Sequence, residues 1–365
     1  MRKGILYVVS LLLLLVIIYF TQFRPPIPHV LYLVLRSISI LFLLFVILKL
    51  FDRDVLKNSI YGSKWKNLIS TLVSIFVTFS LIEIVFTFIP RSHSIEASYA
   101  AVNWKRYYMN KNERGFRDSP QDQKDFDKEI MLFLGDSFTE GAGIANPEFR
   151  FANLISNEVE DCYETYICAK GGYSTLTQSR ALKKLNFTPK KIIYQYCGND
   201  IDADIKKLKK QHSIVLYDDL SWPLKFVVKS SYLFNFVYWR YPHDNLNNYL
   251  DEVLEAYNDD LIFDKHLKSL IKILKYAKTI DAEIYIIILP FFQDIKYSEE
   301  LYGNKISKVI DDFPYDKVYN IQLNSKFEDV PINDRMIHSN DAHASKIINQ
   351  IIANEILKYI QDDCI

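Results

Sequence analysis

The sequence predicts an α/β domain built on a parallel sheet, preceded by an apolar region of three membrane spans. Short apolar runs alternate with stretches of helical spacing from residue 129 onward, as strands buried on both faces and their crossover helices do. Six of the ten glycines, Gly135, Gly141, Gly143, Gly171, Gly172 and Gly198, fall in three short segments, each following such a run. The first ninety residues are strongly apolar, although the whole chain of 365 residues carries 44 basic and 44 acidic side chains. That zero net charge gives no electrostatic case for nucleic acid as a partner.

Three apolar segments, about 4–23, 28–51 and 68–90, each approach or exceed the ~20 residues that cross a bilayer. The first lacks the small-residue cleavage site of a signal peptide. Arg2 and Lys3 precede it, and Lys49, Arg53, Lys57, Lys64 and Lys66 crowd the link between the second and third, whereas the first link carries only Arg24. The positive-inside rule puts the N-terminus and the second link in the cytoplasm and everything after Pro90 outside. Arg36 and Glu83 interrupt the second and third spans, both roughly 10–12 Å below the outer edge at ~1.5 Å per residue. Buried charges in lipid need partners, so these two are expected to face one another.

Residues 91–128 form a connecting segment whose aromatics, from Tyr99 to Tyr108 and in Gly115-Phe116-Arg117-Asp118, suit a chain packed on the domain that follows. That domain, 129–365, opens with a strand at Ile130–Leu134. Glu148–Val159 has helical spacing, with Phe149, Ala152, Ile155 and Val159 on one side. Tyr163–Cys168 and Lys191–Cys197 read as strands and Thr175–Leu185 as the helix between them. Residues of about 201–260 form an insertion whose aromatic run, Trp222–Tyr241, is open to three readings: ordinary packing, a cap over a site, or a surface against the membrane. Leu261–Ala277 reads as a helix, Glu283–Leu289 as a strand, Ile306–Phe313 as a short helix and Lys317–Ile321 as the last strand. Ala344–Ile360 closes the chain as an amphipathic helix with Ile348, Ile351, Ile352 and Ile356 on its apolar face. Strands and helices alternating in this way imply parallel pairing through crossovers. The four cysteines, Cys162, Cys168, Cys197 and Cys364, show no metal-ligand spacing. A disulfide is open to them if the domain is extracytoplasmic, with no pairing assigned.

Gly135-Asp136-Ser137-Phe138-Thr139-Glu140-Gly141 places a serine just past a strand end, where open α/β sheets present their chemistry. Alone it reads equally as a strand-to-helix turn with Ser137 as its cap. Acyl chemistry needs a nucleophile, a base, a group that orients the base, and donors to an oxyanion. Ser137 offers the nucleophile, and the backbone N–H groups of Ser137 and Gly172 with the Asn199 amide offer the oxyanion hole. His343 offers the base and Asp341 the orienting acid. His338 is expected in a loop, outside the constellation.

These segments resemble the sequence blocks of the SGNH, or GDSL, hydrolase superfamily. Gly135-Asp136-Ser137 with Gly141 is similar to the first block, Gly172 with Tyr173-Ser174-Thr175 to the second, Gly198-Asn199-Asp200 to the third and His343 to the last. Gly115-Phe116-Arg117-Asp118 is similar to a run ahead of the first block in membrane-associated bacterial members. The resemblance spans about 129–360. It implies an SGNH-type three-layer α/β/α sandwich with a five-stranded parallel sheet, and ester hydrolysis or acyl transfer through a serine acyl-enzyme with no metal or organic cofactor. One departure concerns the last block, commonly Asp-x-x-His: Asn340 stands three before His343 and Asp341 two before it. The shorter spacing resembles the Asp-x-His of SGNH-like polysaccharide acetyltransferases. Asn340 as a neutral orienter, or a backbone carbonyl in that role, stands beside Asp341.

The expected function is that of a membrane-anchored serine esterase or deacylase acting on an acylated envelope or surface carbohydrate. An O-acyltransferase that modifies a surface polysaccharide, relying on a partner membrane protein or an outside donor, is the second reading. A non-catalytic binding protein on the same fold is the third. No phosphate-binding Gly-x-x-x-x-Gly-Lys loop, His-Glu-x-x-His metal motif or Gly-x-Ser-x-Gly elbow occurs.

Overall fold

The computed structural model describes residues 71, 74, 75, 78–94, 97–125, 127–209, 217, 220–241, 251–253 and 255–360. The chain divides into two compact units, one of residues 1–90, 98–103 and 217–241, the other of 91–97, 104–216 and 242–365.

The larger unit is organised by five parallel strands, β1 (Glu129–Gly135), β2 (Tyr163–Ala169), β3 (Lys191–Cys197), β4 (Glu283–Leu289) and β5 (Val318–Ile321). Their order is β2-β1-β3-β4-β5. Alternate residues of each central strand enter opposite cores. Met131 and Phe133 of β1 join Ile193 and Ile287 under the helices Phe151–Glu158 and Lys346–Ile360. Leu132 and Leu134 join Ile192, Tyr194 and Ile286 under the helices Thr175–Leu182 and Asp260–Thr279. The result is a helix–sheet–helix sandwich. Both faces of the sheet are apolar because both are covered, which is why its strands read as unbroken apolar runs.

Arg150 breaks the expected helix over 148–159. Pro147–Phe149 forms a 3₁₀ turn and Arg150 is extended, so the α-helix begins at Phe151. Phe149, expected on the buried side, is therefore turned off that face and exposed, with the Lys346 ammonium over its ring. Ala152, Ile155 and Val159 are buried as their spacing predicts.

The connecting segment protects an edge. β2 is a terminal strand, and the Asp118 carboxylate accepts the Ile167 N–H at 3.1 Å while the Lys124 ammonium reaches the Thr165 carbonyl. Backbone groups of an exposed edge otherwise invite another strand.

In the smaller unit, helical residues 78–86 are joined by the helices Leu224–Ser230 and Tyr232–Tyr238. Glu83 is fully buried, and its carboxylate accepts from the Ser231 hydroxyl and from the N–H groups of Tyr232 (2.9 Å) and Leu233 (3.1 Å). A carboxylate at a helix N-terminus satisfies orphan donors and meets the positive end of the dipole. Arg36, its expected partner, and the first two expected spans lie outside the described residues. The third is described in part, and no helix among the described residues is long and apolar enough to cross a membrane.

Candidate active site

The sheet order reverses at β1, because β2 and β3 lie on either side of it. The crevice at the carboxyl ends of the strands beside such a switch point is where doubly wound sheets bind ligands. Ser137 stands there.

Local chemistry fixes its position. A Cβ on Gly135 would stand 2.2 Å from Thr139 Oγ1 and 2.6 Å from Gln195 Oε1, so the strand can end this way only on glycine. The Asp136 carboxylate then accepts the Phe138 N–H at 2.9 Å and starts the short helix Ser137–Glu140. Gln195 Oε1, on β3, accepts from the Asp136 N–H at 3.2 Å and the Thr139 hydroxyl at 2.9 Å.

The loop after β2 is tied to the same helix. Glu140 Oε2 accepts the Gly171 N–H at 2.7 Å, and Oε1 takes the Lys111 ammonium at 2.6 Å. A Cβ on Gly171 would lie 3.8 Å from that of Ser137, and Gly172 follows with φ of +77°. Glu140 thus sets the second block beside the first.

After β3, Gly198–Ile201 forms a 3₁₀ turn carrying Asn199. Asp200 shapes it: one carboxylate oxygen accepts the Cys197 N–H at 2.9 Å and the other the Gln178 amide at 2.8 Å. Burial pushes the Asp136 carboxyl up, against the Phe138 N–H, the His343 charge and the Gln195 and Asn199 amides, which favour the carboxylate. Burial, and then Asp136, raise Asp200 well above the ordinary carboxylate range.

The turn also rests on a buried polar chain. The Tyr257 hydroxyl donates to the Gly198 carbonyl at 2.8 Å and meets the Tyr196 hydroxyl at 2.6 Å, which in turn meets His266 Nε2 at 2.8 Å. His266 Nδ1 lies 3.6 Å from Asp204. Burial holds the His266 imidazole below its ordinary pKa, against Asp204. Tyr257→Phe removes the donor that holds the Gly198 carbonyl. If Asn199 serves the oxyanion, turnover should fall about fivefold to tenfold, the worth of one buried hydrogen bond, with KM little changed. Steady-state kinetics on an acetyl ester reads both; an unchanged kcat in a folded Y257F protein would remove this role.

His343, the expected base, comes from a hairpin. β6 (Met336–His338) pairs antiparallel with β7 (Asp341–Ala344), His338 opposite Asp341. His338 is therefore a strand residue, not the expected loop histidine, since pairing across the tight turn needs it there; its Nε2 lies 3.5 Å from the Ser92 hydroxyl. Asp341 Oδ1 and His343 Nδ1 are 2.5 Å apart. The His343 ring stands 5.3 Å from that of Phe138, the residue after Ser137. Gly143 has φ of +80°, and a Cβ there would meet Ile337 Cγ1 at 2.4 Å and Asp341 Oδ2 at 3.0 Å, so only glycine lets this loop approach the acid. Asn340 is half-buried at the turn, where its side-chain oxygen faces the hydroxyl of the exposed Ser339 at 3.2 Å. Residues of the connecting segment strap the hairpin: Ser94 N–H donates to the Asn340 carbonyl at 3.1 Å and Ser94 Oγ accepts the Ala342 N–H at 2.8 Å.

Burial works against the ionised form of both partners, and their mutual attraction outweighs it. Against burial, His343 brings Asp341 down to about 2. Against burial, Asp341, with Asp136 and Glu140 behind it, raises His343 above its ordinary value. A carboxylate on Nδ1 leaves Nε2 as the nitrogen free to take a proton. Of the residues that build this site, Glu140 and Asp200 lie within the first and third blocks, whereas Gln195 and Tyr257 carry no signal in a single sequence beyond being polar.

No family model matches the chain, and no curated protein matches it. Among solved structures it is similar to a lipase from a goat rumen metagenome, at 13% identity over 63% of this chain and 97% of that one, TM-score 0.39. It is also similar to a psychrotrophic esterase from Pseudoalteromonas, at 14% identity over 64% and 98%, TM-score 0.38. A mutant acetyl-xylooligosaccharide esterase from Geobacillus is similar at 11% identity over 63% and 93%, TM-score 0.39.

Proposed function

We propose that the chain is a membrane-anchored SGNH-type serine esterase or deacylase that acts on an acylated envelope or surface carbohydrate. The observation that carries this reading is the buried Asp341 carboxylate on His343 Nδ1, with the imidazole set against the residue that follows Ser137. In this reaction Ser137 Oγ attacks the ester carbonyl carbon while His343 Nε2 takes its proton. Charge on the carbonyl oxygen is met by the N–H groups of Ser137 and Gly172 and by the Asn199 amide. The C–O bond to the carbohydrate then breaks, the leaving oxygen taking the proton from His343. Water, activated by the same imidazole, releases the acid and frees Ser137.

The Asp-x-His spacing supports a second reading, in which a sugar hydroxyl replaces water and the protein is an O-acyltransferase. Two features support an extracytoplasmic domain: the distribution of basic residues along the apolar region, and a disulfide at Cys162, a bond of oxidising compartments. Cys168 and Cys197 are free and buried, and burial pushes the Cys168 thiol up to about 12, so neither competes as a nucleophile.

The test uses the purified full chain with an alkyl fluorophosphonate, a chromogenic acetyl ester and acetylated oligosaccharides, with free glycans added as acceptors. An adduct on the peptide that holds Ser137, and acetate release that the adduct blocks, are the expected results. Acetylated glycan in place of acetate would select the transferase. A folded protein with neither adduct nor turnover would leave the binding protein as the reading.

A further inference from the structure

The smaller unit buries several polar side chains alongside Tyr217, Val228 and Trp239 while leaving apolar ones exposed. Ser80, Glu83 and Thr87, spaced three and four residues apart on helical residues 78–86 and just beyond, are buried. Leu81, Val85 and Phe88, at the same spacing on the other side, are exposed. The helix Tyr232–Tyr238 repeats the pattern. Asn235 is fully buried, accepting the Tyr99 N–H at 2.9 Å and donating to the Tyr217 hydroxyl at 2.8 Å. Phe234 and Val237, three residues apart on it, face out, as does Tyr241 beyond its end, and Leu224, Phe226 and the 81% exposed Trp222 continue the apolar surface. A water-exposed helix places its polar residues outward. Polar residues turned inward to one another, with hydrocarbon outward, are what a lipid environment selects.

The two stripes belong to one unit. The Glu83 carboxylate seats the N-terminus of the helix Tyr232–Tyr238, and Phe79 and Phe86 meet Phe234 and Phe236 at ring separations of 5.8 and 5.1 Å. The exposed stripe of 224–241 is thus continuous with the apolar surface of the third expected span. Trp222 and Tyr241 stand at its two ends and Lys225, Lys229 and Arg240 lie along it, the aromatic and basic residues that anchor at a bilayer interface.

From this distribution we propose that residues 220–241 form a helical hairpin seated in the lipid bilayer beside the third span, a second membrane contact distinct from the spans themselves. The inference rests on the membrane-anchored reading. It gives the insertion a lipid partner in place of a role as a lid over Ser137.

Nitroxide spin labels on Leu224→Cys and Val237→Cys, in the full chain reconstituted in phosphatidylcholine vesicles, test it. Collision with oxygen should exceed collision with a water-soluble nickel chelate severalfold at both positions, as it does in hydrocarbon. High nickel accessibility would place the hairpin in water. Low accessibility to both reagents would place it against protein, a second copy or another membrane protein. Either result overturns the proposal. Leu13→Cys, in the first span, is the control for the reading beneath it. A lipid signal there with none at position 237 sinks the hairpin alone, and a water signal at both sinks the anchor as well.

Discussion

Asp341→Asn should lower turnover of an acetyl ester by about three to four powers of ten while leaving the fold and KM nearly intact, the loss expected when a triad acid is neutralised. The carboxylate on His343 Nδ1 accepts an N–H, so it selects the tautomer whose Nε2 is bare. A carboxamide in its place can present an N–H to Nδ1 instead, and the proton then sits on the wrong nitrogen. The same substitution should move the pH profile. A general base works unprotonated, so turnover falls as pH drops through the His343 pKa, which Asp341 raises. Without the carboxylate that acid limb moves to lower pH, beneath a much reduced plateau. Stability follows the same pair. The contribution of Asp341, whose folded pKa is about 2, is present above its unfolded value of about 4 and lost as pH falls through the folded one. That of His343 is present below its unfolded value of about 6.5 and lost as pH rises through its raised one. Asn340→Ala, at the turn, where the side-chain oxygen meets only the neighbouring Ser339 hydroxyl, should change turnover by no more than about twofold. The reverse outcome, a silent D341N and a crippled N340A, would give the orienting role to Asn340.

How far a single sequence reaches depends on which physics a residue obeys. Lys191–Cys197 and Glu283–Leu289 were readable to the residue because both their faces are covered, so nothing but burial shapes them. Gly135 and Gly143 could be placed in the site, yet not explained: a Cβ would meet Thr139 and Gln195 at the first, and Ile337 and Asp341 at the second, and all but Thr139 lie 60 or more positions away. Phe149 was misplaced because helical spacing carries no mark of the break at Arg150. The straps at Ser92 and Ser94 lie about 250 residues from the hairpin they hold, and isolated serines carry no pattern. Trp222–Tyr241 shows a different limit. Periodicity tells that a helix has two unlike sides, and only packing tells which of them faces out.

Arg117→Met should cost about 3 kcal/mol or more of stability, since removing its guanidinium leaves three buried or half-buried carbonyls without their donor, each worth about 1–3 kcal/mol. The guanidinium is nearly fully buried and spans the loop after the Ser137 helix. Nη1 donates to the Gly141 carbonyl at 2.9 Å, and Nη2 to those of Ile144 and Ala145 at 2.9 and 3.0 Å. Burial lowers its pKa to about 10, against Glu140, so it stays cationic at neutral pH. The loop it grips carries Gly143 against Asp341. Releasing that grip should loosen the acid as well as the fold, so turnover of the remaining folded protein should drop together with the melting temperature, the latter by about 10 °C for a domain of this size. Arg117→Lys keeps the charge, but a single ammonium cannot reach carbonyls on both arms of the loop, and it should recover only part of either loss. Thermal melts with initial rates taken well below the transition separate the two effects. A R117M protein that melts like the parent would show that the loop is held by something other than this side chain, and a normal rate in a destabilised protein would cut the link from Arg117 through Gly143 to Asp341.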